Sequence, residues 1–307
     1  MNEKIVVLGS CNTDMVIKSE RLPAPGETIL GGQFLMNPGG KGANQAVAAS
    51  RLGGDVTFIC KTGNDIFGQE FVELFKKESI KTEYVFKDEE LPSGVALITV
   101  DKSGENSIVV ASGANSSLNK SDIDTAKDAL EDAGLLLMQL ETPVETVMYA
   151  AEIANKNGVK VILNPAPAPE QSLPVELLEN LYMIIPNETE AQILSGIEVN
   201  DWETARQAAD VISGLGVAVV VITLGAMGAF VKDGDQYYEI KVESKLDAVD
   251  TTAAGDTFCG ALCVALAEGT TLKEAVEFAN RAAGISVTRM GAQASIPCRK
   301  ELEIKLT

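Results

Sequence analysis

Six short apolar runs, at 5–9, 56–60, 135–140, 159–163, 183–185 and 217–224, recur along the chain with helical patterns between them. Several are continuously apolar, which suits strands buried on both faces. Strands alternating with helices imply a mostly parallel sheet covered on both sides, a three-layer α/β/α arrangement. The intervening patterns support this. Phe67, Phe71, Leu74 and Phe75 share one helical face, as do Val144, Val147, Met148 and Ala151. Thr142-Pro143-Val144-Glu145 predicts a capping box with Pro at the first helical position, and Asn157-Gly158 a stop. Ser121-Asp122-Ile123-Asp124 predicts a further helix start. Two long helices are expected in the last third, on the faces Phe258, Leu262, Ala265, Leu266 and Leu272, Ala275, Val276, Ala279.

Two regions break the alternation. Residues 14–37 and 93–111 carry β-type segments at 15–18, 28–35, 95–100 and 107–111 with no helix between them. Lys102-Ser103-Gly104-Glu105 reads as a hairpin turn. A small antiparallel sheet built from these two insertions would form a lid. With no repeat, low-complexity tract or long linker, residues 1–307 read as one domain carrying that lid.

Composition narrows the chemistry. The chain has 44 Asp plus Glu against 25 Lys plus Arg, which argues against nucleic acid as a partner. It has no histidine, so Ser-His-Asp triads, histidine bases and histidine-ligated metals are excluded. The five cysteines form no CxxC pair, against a secreted disulfide framework. The apolar run at 5–9 is too short for a signal-peptide core, and the uncharged stretch 211–231 contains four glycines and reads as soluble strand and turn. A cytoplasmic protein without a membrane span is expected.

Five motifs carry polar chemistry. Asp250-Thr251-Thr252-Ala253-Ala254-Gly255-Asp256-Thr257-Phe258 runs small residues into an amphipathic helix. The amides of Ala253, Ala254, Gly255 and Asp256 would be unpaired in its first turn and, with the helix dipole, suit an anion. Asp256 beside them either takes a proton from an alcohol or merely caps the helix. Asn37-Pro38-Gly39-Gly40-Lys41-Gly42-Ala43-Asn44-Gln45 opens another helix. It lacks the spacing of a Walker P-loop or of a dinucleotide fingerprint. Its glycines let backbone approach a small ligand, with Lys41 and Asn44 as donors, or simply make a turn. Asn12 and Asp14, after the first strand, bind neighbouring hydroxyls or form an Asx turn. Asn187-Glu188-Thr189-Glu190 has capping-box spacing, and its side chains also suit phosphate-bound magnesium. Thr223-Leu224-Gly225-Ala226-Met227-Gly228 is a strand and glycine turn able to border a purine.

In this order, from Asn12-x-Asp14 to Arg289-Met290-Gly291-Ala292-Gln293, the motifs resemble the phosphofructokinase-B type carbohydrate kinase family. The string from Asn37 to Asn44 is similar to that of its ribokinase branch, and the string from Asp250 to Phe258 resembles the second family signature. The resemblance implies a ribokinase-like fold and transfer of phosphoryl from ATP, with magnesium, to O5 of D-ribose. It implies Asp256 as base and residues 253–256 as anion hole. It implies Asn12, Asp14, Gly40, Lys41, Gly42, Asn44 and Glu141 around the sugar. Asn187, Thr223, Leu224, Gly225, Ala226, Met227, Gly228, Gly255 and Asn280 would lie at the nucleotide, with Glu190 in the magnesium network. A monovalent cation, potassium by resemblance, would be held by Asp250, Thr252, Ser286, Arg289, Gly291 and Ser295, several through carbonyls. The resemblance also implies a homodimer through the lid sheet. Met15 departs from the family, where His is frequent.

Other readings are a kinase for 2-deoxyribose, a fructokinase or nucleoside kinase, and a sugar-binding sensor without catalysis. The Asn37–Asn44 string argues against the fructose and nucleoside branches. The intact Ala253-Ala254-Gly255-Asp256 run argues against the sensor.

Overall fold

A computed structural model describes residues 3–169, 172–242 and 247–303. In chain order, strands β1 (Lys4–Leu8), β2 (Asn12–Lys18) and β3 (Gln33–Gly39) precede helix α1 (Lys41–Arg51), and β4 (Asp55–Gly63) precedes α2 (Ile66–Lys77). β5 (Val85–Asp88), β6 (Gly94–Val100) and β7 (Asn106–Ala111) lead to the short helices α3 (Lys120–Thr125) and α4 (Lys127–Glu131). β8 (Leu135–Met138), α5 (Val144–Lys156), β9 (Lys160–Leu163), α6 (Val175–Leu178) and β10 (Met183–Ile184) follow. Then come α7 (Glu188–Ser195), α8 (Trp202–Gly214), β11 (Val219–Thr223), β12 (Gly228–Asp233) and β13 (Gln236–Lys241). Helices α9 (Ala254–Ala267), α10 (Leu272–Ser286) and α11 (Arg299–Glu303) complete the chain.

The main sheet runs β13-β12-β11-β10-β9-β8-β1-β4-β5. Its pairs are parallel except β11–β12 and β12–β13, which form an antiparallel edge. Side chains alternate between the faces, as a fully covered sheet requires. Ile5, Val7, Leu135 and Leu137 pack against α1, α2, α9 and α10, whereas Val6, Leu8, Leu136 and Met138 pack against α3 to α8. Chain order reverses between β1 and β8, so the crevice at their carboxyl ends is a topological switch point.

A smaller second sheet, β3-β2-β6-β7, is present, but it is mixed rather than wholly antiparallel as expected, because β2 and β6 come from the two separate segments and run the same way. β2 pairs with β3 antiparallel from Asn12–Gly39 to Lys18–Gln33, and with β6 in parallel. The strand expected at 28–35 lies further on, at Gln33–Gly39. Gly31 and Gly32 hold φ of +104° and +115°, which ends extended pairing before them. Pro38 is accommodated because β3 is an edge strand, so its missing N–H breaks no ladder.

Two helix starts differ from expectation. Pro143, not Thr142, is the N-cap of α5, and it makes no side-chain cap. The hydroxyl of Thr142 is buried without a partner, because the extended Pro143 carries it away from the first turn. The helix expected at Ser121 starts earlier, with Asn119 as N-cap and Asp122 closing the capping box. The stop at Asn157-Gly158 and the two long C-terminal helices match the pattern.

Candidate active site

Asp256 sits in the first turn of α9, whose N-cap is Ala253. Ala253 holds left-handed φ and ψ of 59° and 15°, a strained choice for a residue with a Cβ. That turn aims the following amides into the crevice. No protein acceptor meets the amides of Ala253, Gly255 and Asp256 among the described residues. The Ala254 amide departs from the expectation: it donates to the Thr251 carbonyl at 3.2 Å, because residues 251–254 close a turn. A Cβ placed on Gly255 would meet nothing within 4 Å, so the space in front of this helix end is open.

α9 reaches the crevice by packing on α1. A Cβ on Gly260 would lie 2.7 Å from Ala48 Cβ and 2.7 Å from the Gln45 carbonyl oxygen. That close approach brings Asp256, only 7 % exposed, against the first turns of α1. Asn44 Nδ2 donates to Asp256 Oδ2 at 2.9 Å, and Gln45 Nε2 donates to Oδ1 at 3.0 Å. α1 in turn starts at the end of β1, where a Cβ on Gly42 would lie 2.6 Å from Gly9 C. Gly40, at φ +88°, is the N-cap and passes over Cys11 and Asn12.

The strand ends supply the remaining groups. Glu141, after β8, accepts the Lys41 amide at 2.9 Å and the Ser10 hydroxyl. Asp14 lies over Gly39, where a Cβ would stand 2.2 Å from its Oδ2. Asn12 Oδ1 accepts from Asn115 Nδ2 at 2.8 Å, and a Cβ on Gly94 would collide with both side chains. Asn44 Oδ1 is buried with no donor, an acceptor left over beside Asp256.

Burial and mutual repulsion shape the electrostatics. Burial, with Glu141 and Asp256 nearby, pushes the Asp14 carboxyl up to about 7. Burial also raises Asp256, against the pull of Lys41, Asn44 and Gln45. Lys41 stands above the ordinary lysine range although burial lowers it, because Asp256, Glu141 and Glu190 surround it. Burial raises Glu190, although it accepts the Asn187 amide at 2.9 Å. Asp256, Glu141 and Glu190 therefore share one lysine, with Asp14 adding a fourth acidic group beside Glu141 and Asp256, so a polyphosphate entering here needs cations brought with it.

On the β10–β13 side, Asn187 caps α7 in the expected capping box with Glu190. It also forms a bridge with Thr223 at the end of β11. Gly225 and Gly228, at φ +50° and +115°, carry the turn into β12. Asn280, on α10, donates to the Ile240 carbonyl at 3.1 Å. Ala226 is exposed and Met227 half-buried, but the Leu224 side chain belongs to the core, leaving only its main chain for a ligand.

Of the expected cation ligands, Asp250, Thr252 and Gly291 meet one another. Asp250 Oδ1 accepts from the Thr252 amide and hydroxyl, and Oδ2 from the Gly291 amide at 2.8 Å. Burial raises this carboxyl, but these bonds hold it below the ordinary range. The hydroxyls of Ser286 and Ser295 donate to Ala283 and Ala292, and the Arg289 guanidinium pairs with Glu301. At Arg289 only the carbonyl is thus left to ligate, whereas Ser286 and Ser295 keep hydroxyl lone pairs as well as their carbonyls. No cluster of three His, Cys, Asp or Glu suited to a metal occurs among the described residues.

Sequence reasoning passed over Gln45, Gln139, Asn164 and Asn115, all buried in or beside this site. Gln45 lies within a quoted motif and Asn164 follows an apolar strand; nothing local singles out Gln139 or Asn115.

An open α/β sheet with a β lid, and an acidic residue beside an amide cradle at a helix start, defines a kinase of small hydroxylated molecules. The model of the pfkB family carbohydrate kinases matches residues 2–299, and the chain belongs to that family. It is 48% identical over 301 residues to ribokinase of Haemophilus influenzae, covering 98% of this chain and 97% of that one. It is 37% identical over 294 residues to deoxyribokinase of Salmonella typhi, covering 95% of each. The structure of Arabidopsis thaliana ribokinase complexed with ribose and ATP superposes with a TM-score of 0.91 at 33% identity, over 99% of this chain and 98% of that one.

Proposed function

We propose that the chain phosphorylates D-ribose at O5, consuming ATP and releasing ADP and D-ribose 5-phosphate. The observation that carries this is Asp256, buried and doubly hydrogen-bonded, beside unpaired amides and open space at the start of α9. The ribose O5 attacks the γ-phosphorus while its proton passes to Asp256. The bond from that phosphorus to the β–γ bridging oxygen breaks, and ADP leaves. The amides of Ala253, Gly255 and Asp256 meet the charge that builds on the transferring group. Asn12, Asp14, Gly40, Lys41, Gly42, Asn44 and Glu141 hold the sugar. The orphaned Asn44 Oδ1 suits a hydroxyl donor. The adenosine lies along Thr223 to Gly228 toward Asn280, with Asn187 at the phosphates.

The three carboxylates around Lys41, with Asp14 nearby, fit a nucleotide delivered with magnesium, and Glu190 would hold its water shell. When bound, that ion would supply neutralisation of the phosphate charge. The carbonyls near Asp250, Thr252, Ser286, Arg289, Gly291 and Ser295 suit a weakly hydrated monovalent cation such as potassium. The chain acts as one domain with its lid, and a homodimer forms through the outer lid face. Free thiols at all five cysteines fit a reducing, cytoplasmic setting. No described helix is long and apolar enough to cross a membrane.

The second reading is 2-deoxyribose, favoured by the similarity to deoxyribokinase. A site bonding the 2-hydroxyl would reject the deoxy sugar. Coupled ADP detection with a pentose panel separates them: ribose is expected to be turned over fastest, and more so with potassium than sodium. Asp256→Asn should lose about 10²–10⁴ in kcat while still binding ribose. Wild-type turnover in that variant would sink the base assignment.

A further inference from the structure

Behind Asp256 stands Gln45, whose side chain is 0 % exposed and cannot touch substrate. Its Nε2 donates to Asp256 Oδ1 and to Asn164 Oδ1, each at 3.0 Å. Its Oε1 accepts from Gln139 Nε2 at 2.6 Å. Asn164 Nδ2 donates to the Ile185 carbonyl, at the end of β10, at 2.9 Å. The four side chains come from α1, α9 and the ends of β8 and β9.

A side-chain amide has a donor end and an acceptor end, and its neighbours decide which way it turns. Here the last link decides. The Ile185 carbonyl can only accept, so Asn164 must give it the NH₂ group and turn its oxygen to Gln45. Gln45 must then face inward with its own NH₂, and the second hydrogen goes to Asp256. Gln139 meets the Oε1 on the far side with an N–H, in keeping with the same orientation, but its own Oε1 has no partner, so the constraint comes from the Ile185 link. Main chain at the end of β10 thereby dictates that a donor, never an acceptor, faces Asp256.

We propose that Gln45 is a positioning residue for phosphoryl transfer: through this relay it orients Asp256 and keeps that carboxylate a proton acceptor. The proposal rests on Asp256 being the base. A donor to a carboxylate favours its charged form, which burial opposes. The other groups facing Asp256 pull in both directions. Lys41 of α1 favours the charge, whereas Glu141 after β8, Asp14 of β2 and Glu190 of α7 oppose it; the thiol of Cys259 on α9, kept protonated by burial, adds no charge. Asn44 also donates to Asp256, but it lies on the crevice side with a free acceptor atom, whereas both ends of Gln45 are committed to protein. Gln45 is therefore the donor that stays when the sugar enters.

The test uses full-length Gln45→Met and Gln45→Glu, with kcat measured across about pH 5 to 9 and KM for ribose and ATP alongside. In Gln45→Met the acid limb of kcat should move to higher pH, with kcat near neutrality down about 10–100-fold and both KM values changed less than about three-fold. Should Gln45→Met fail to fold, Gln45→Glu preserves the shape. It donates to Asp256 only while protonated, so its kcat should fall again as pH rises, giving a bell-shaped profile. A Met variant with the wild-type acid limb overturns the proposal. So does a pH-independent loss shared equally between kcat and KM, or a Glu variant with the wild-type alkaline limb. Asp256→Asn run in parallel separates two failures: an active Asp256→Asn removes the base, whereas an inactive one with unshifted Gln45 variants removes only the relay.

Discussion

Asp14, proposed above to hold the sugar, acts against stability. Its carboxyl is partly buried on the inner lid face near Glu141 and Asp256, which lifts it to about 7. In the unfolded chain an aspartate ionises near its ordinary value of about 4. Between those values the folded form holds a proton that the unfolded form has released, so ligand-free stability should fall as pH rises from about 4 to 7. Above that range this contribution is constant. Asp14→Asn should therefore raise the ligand-free melting temperature at pH 8 and change it little near pH 4, while ribose KM rises at least about ten-fold. Thermal scans at both pH values check the first part; an equal shift at both would show that ionisation is not the cause. The motif around Asp14 was visible in the chain, but its proton affinity was not. That property depends on Glu141 and Asp256, which stand far away in sequence.

Among elements, α9 carries two glycines with opposite duties. Gly255 faces open space, and a Cβ there would touch nothing within 4 Å. Gly260, one turn on, lets α9 approach α1 so closely that a Cβ would stand 2.7 Å from the Gln45 carbonyl oxygen. Gly255→Val should leave the melting temperature nearly unchanged yet lower kcat/KM for ATP about 10²-fold, because the side chain fills the phosphate space. Gly260→Ala should do the reverse in origin. Overpacking costs about 1–3 kcal/mol, more than the roughly 1 kcal/mol gained in helix propensity, and Asp256 is displaced with the helix. Melting curves and ATP kinetics on both variants check this contrast. Both glycines were plain in the sequence, and only the first was read as functional. Gly260 carried no local signal, since its role is set by a helix about two hundred residues earlier.

For the whole molecule, the lid has two unlike faces. Strand alternation puts Asp14, Asn37 and Ala96 on the inner face and Met15, Met36, Leu97 and Val109 on the outer one. Phe34, Leu97 and Val109 are 61 %, 56 % and 67 % exposed there. A groove of about 550 Å³ opens between this face and α2, lined by Thr13, Met36, Pro38, Phe67, Phe71 and Leu74, away from Asp256. So much apolar surface on one sheet face supports the homodimer proposed above. Leu97→Asp with Val109→Asp should give a monomer by light scattering, with ribose KM raised because the lid loses its support. A dimer in that double variant would place the contact elsewhere. Both insertions were legible from β-type segments without helices, whereas the β3 bounds were not. The glycine pair before Gln33 and the pairing with β2 set them.

What the chain determined by itself was the layered sheet, the lid, and the residue types able to hold a sugar, a phosphate and a proton. Those features are local, because burial periodicity and helix-start chemistry are written in neighbouring residues. Only the tertiary structure decided which groups meet. Gln45 reaches Asp256 across 211 positions, and its orientation is dictated by a carbonyl at the end of another strand. A hydrogen bond of that kind depends on packing distances between elements, and no spacing along the sequence records them.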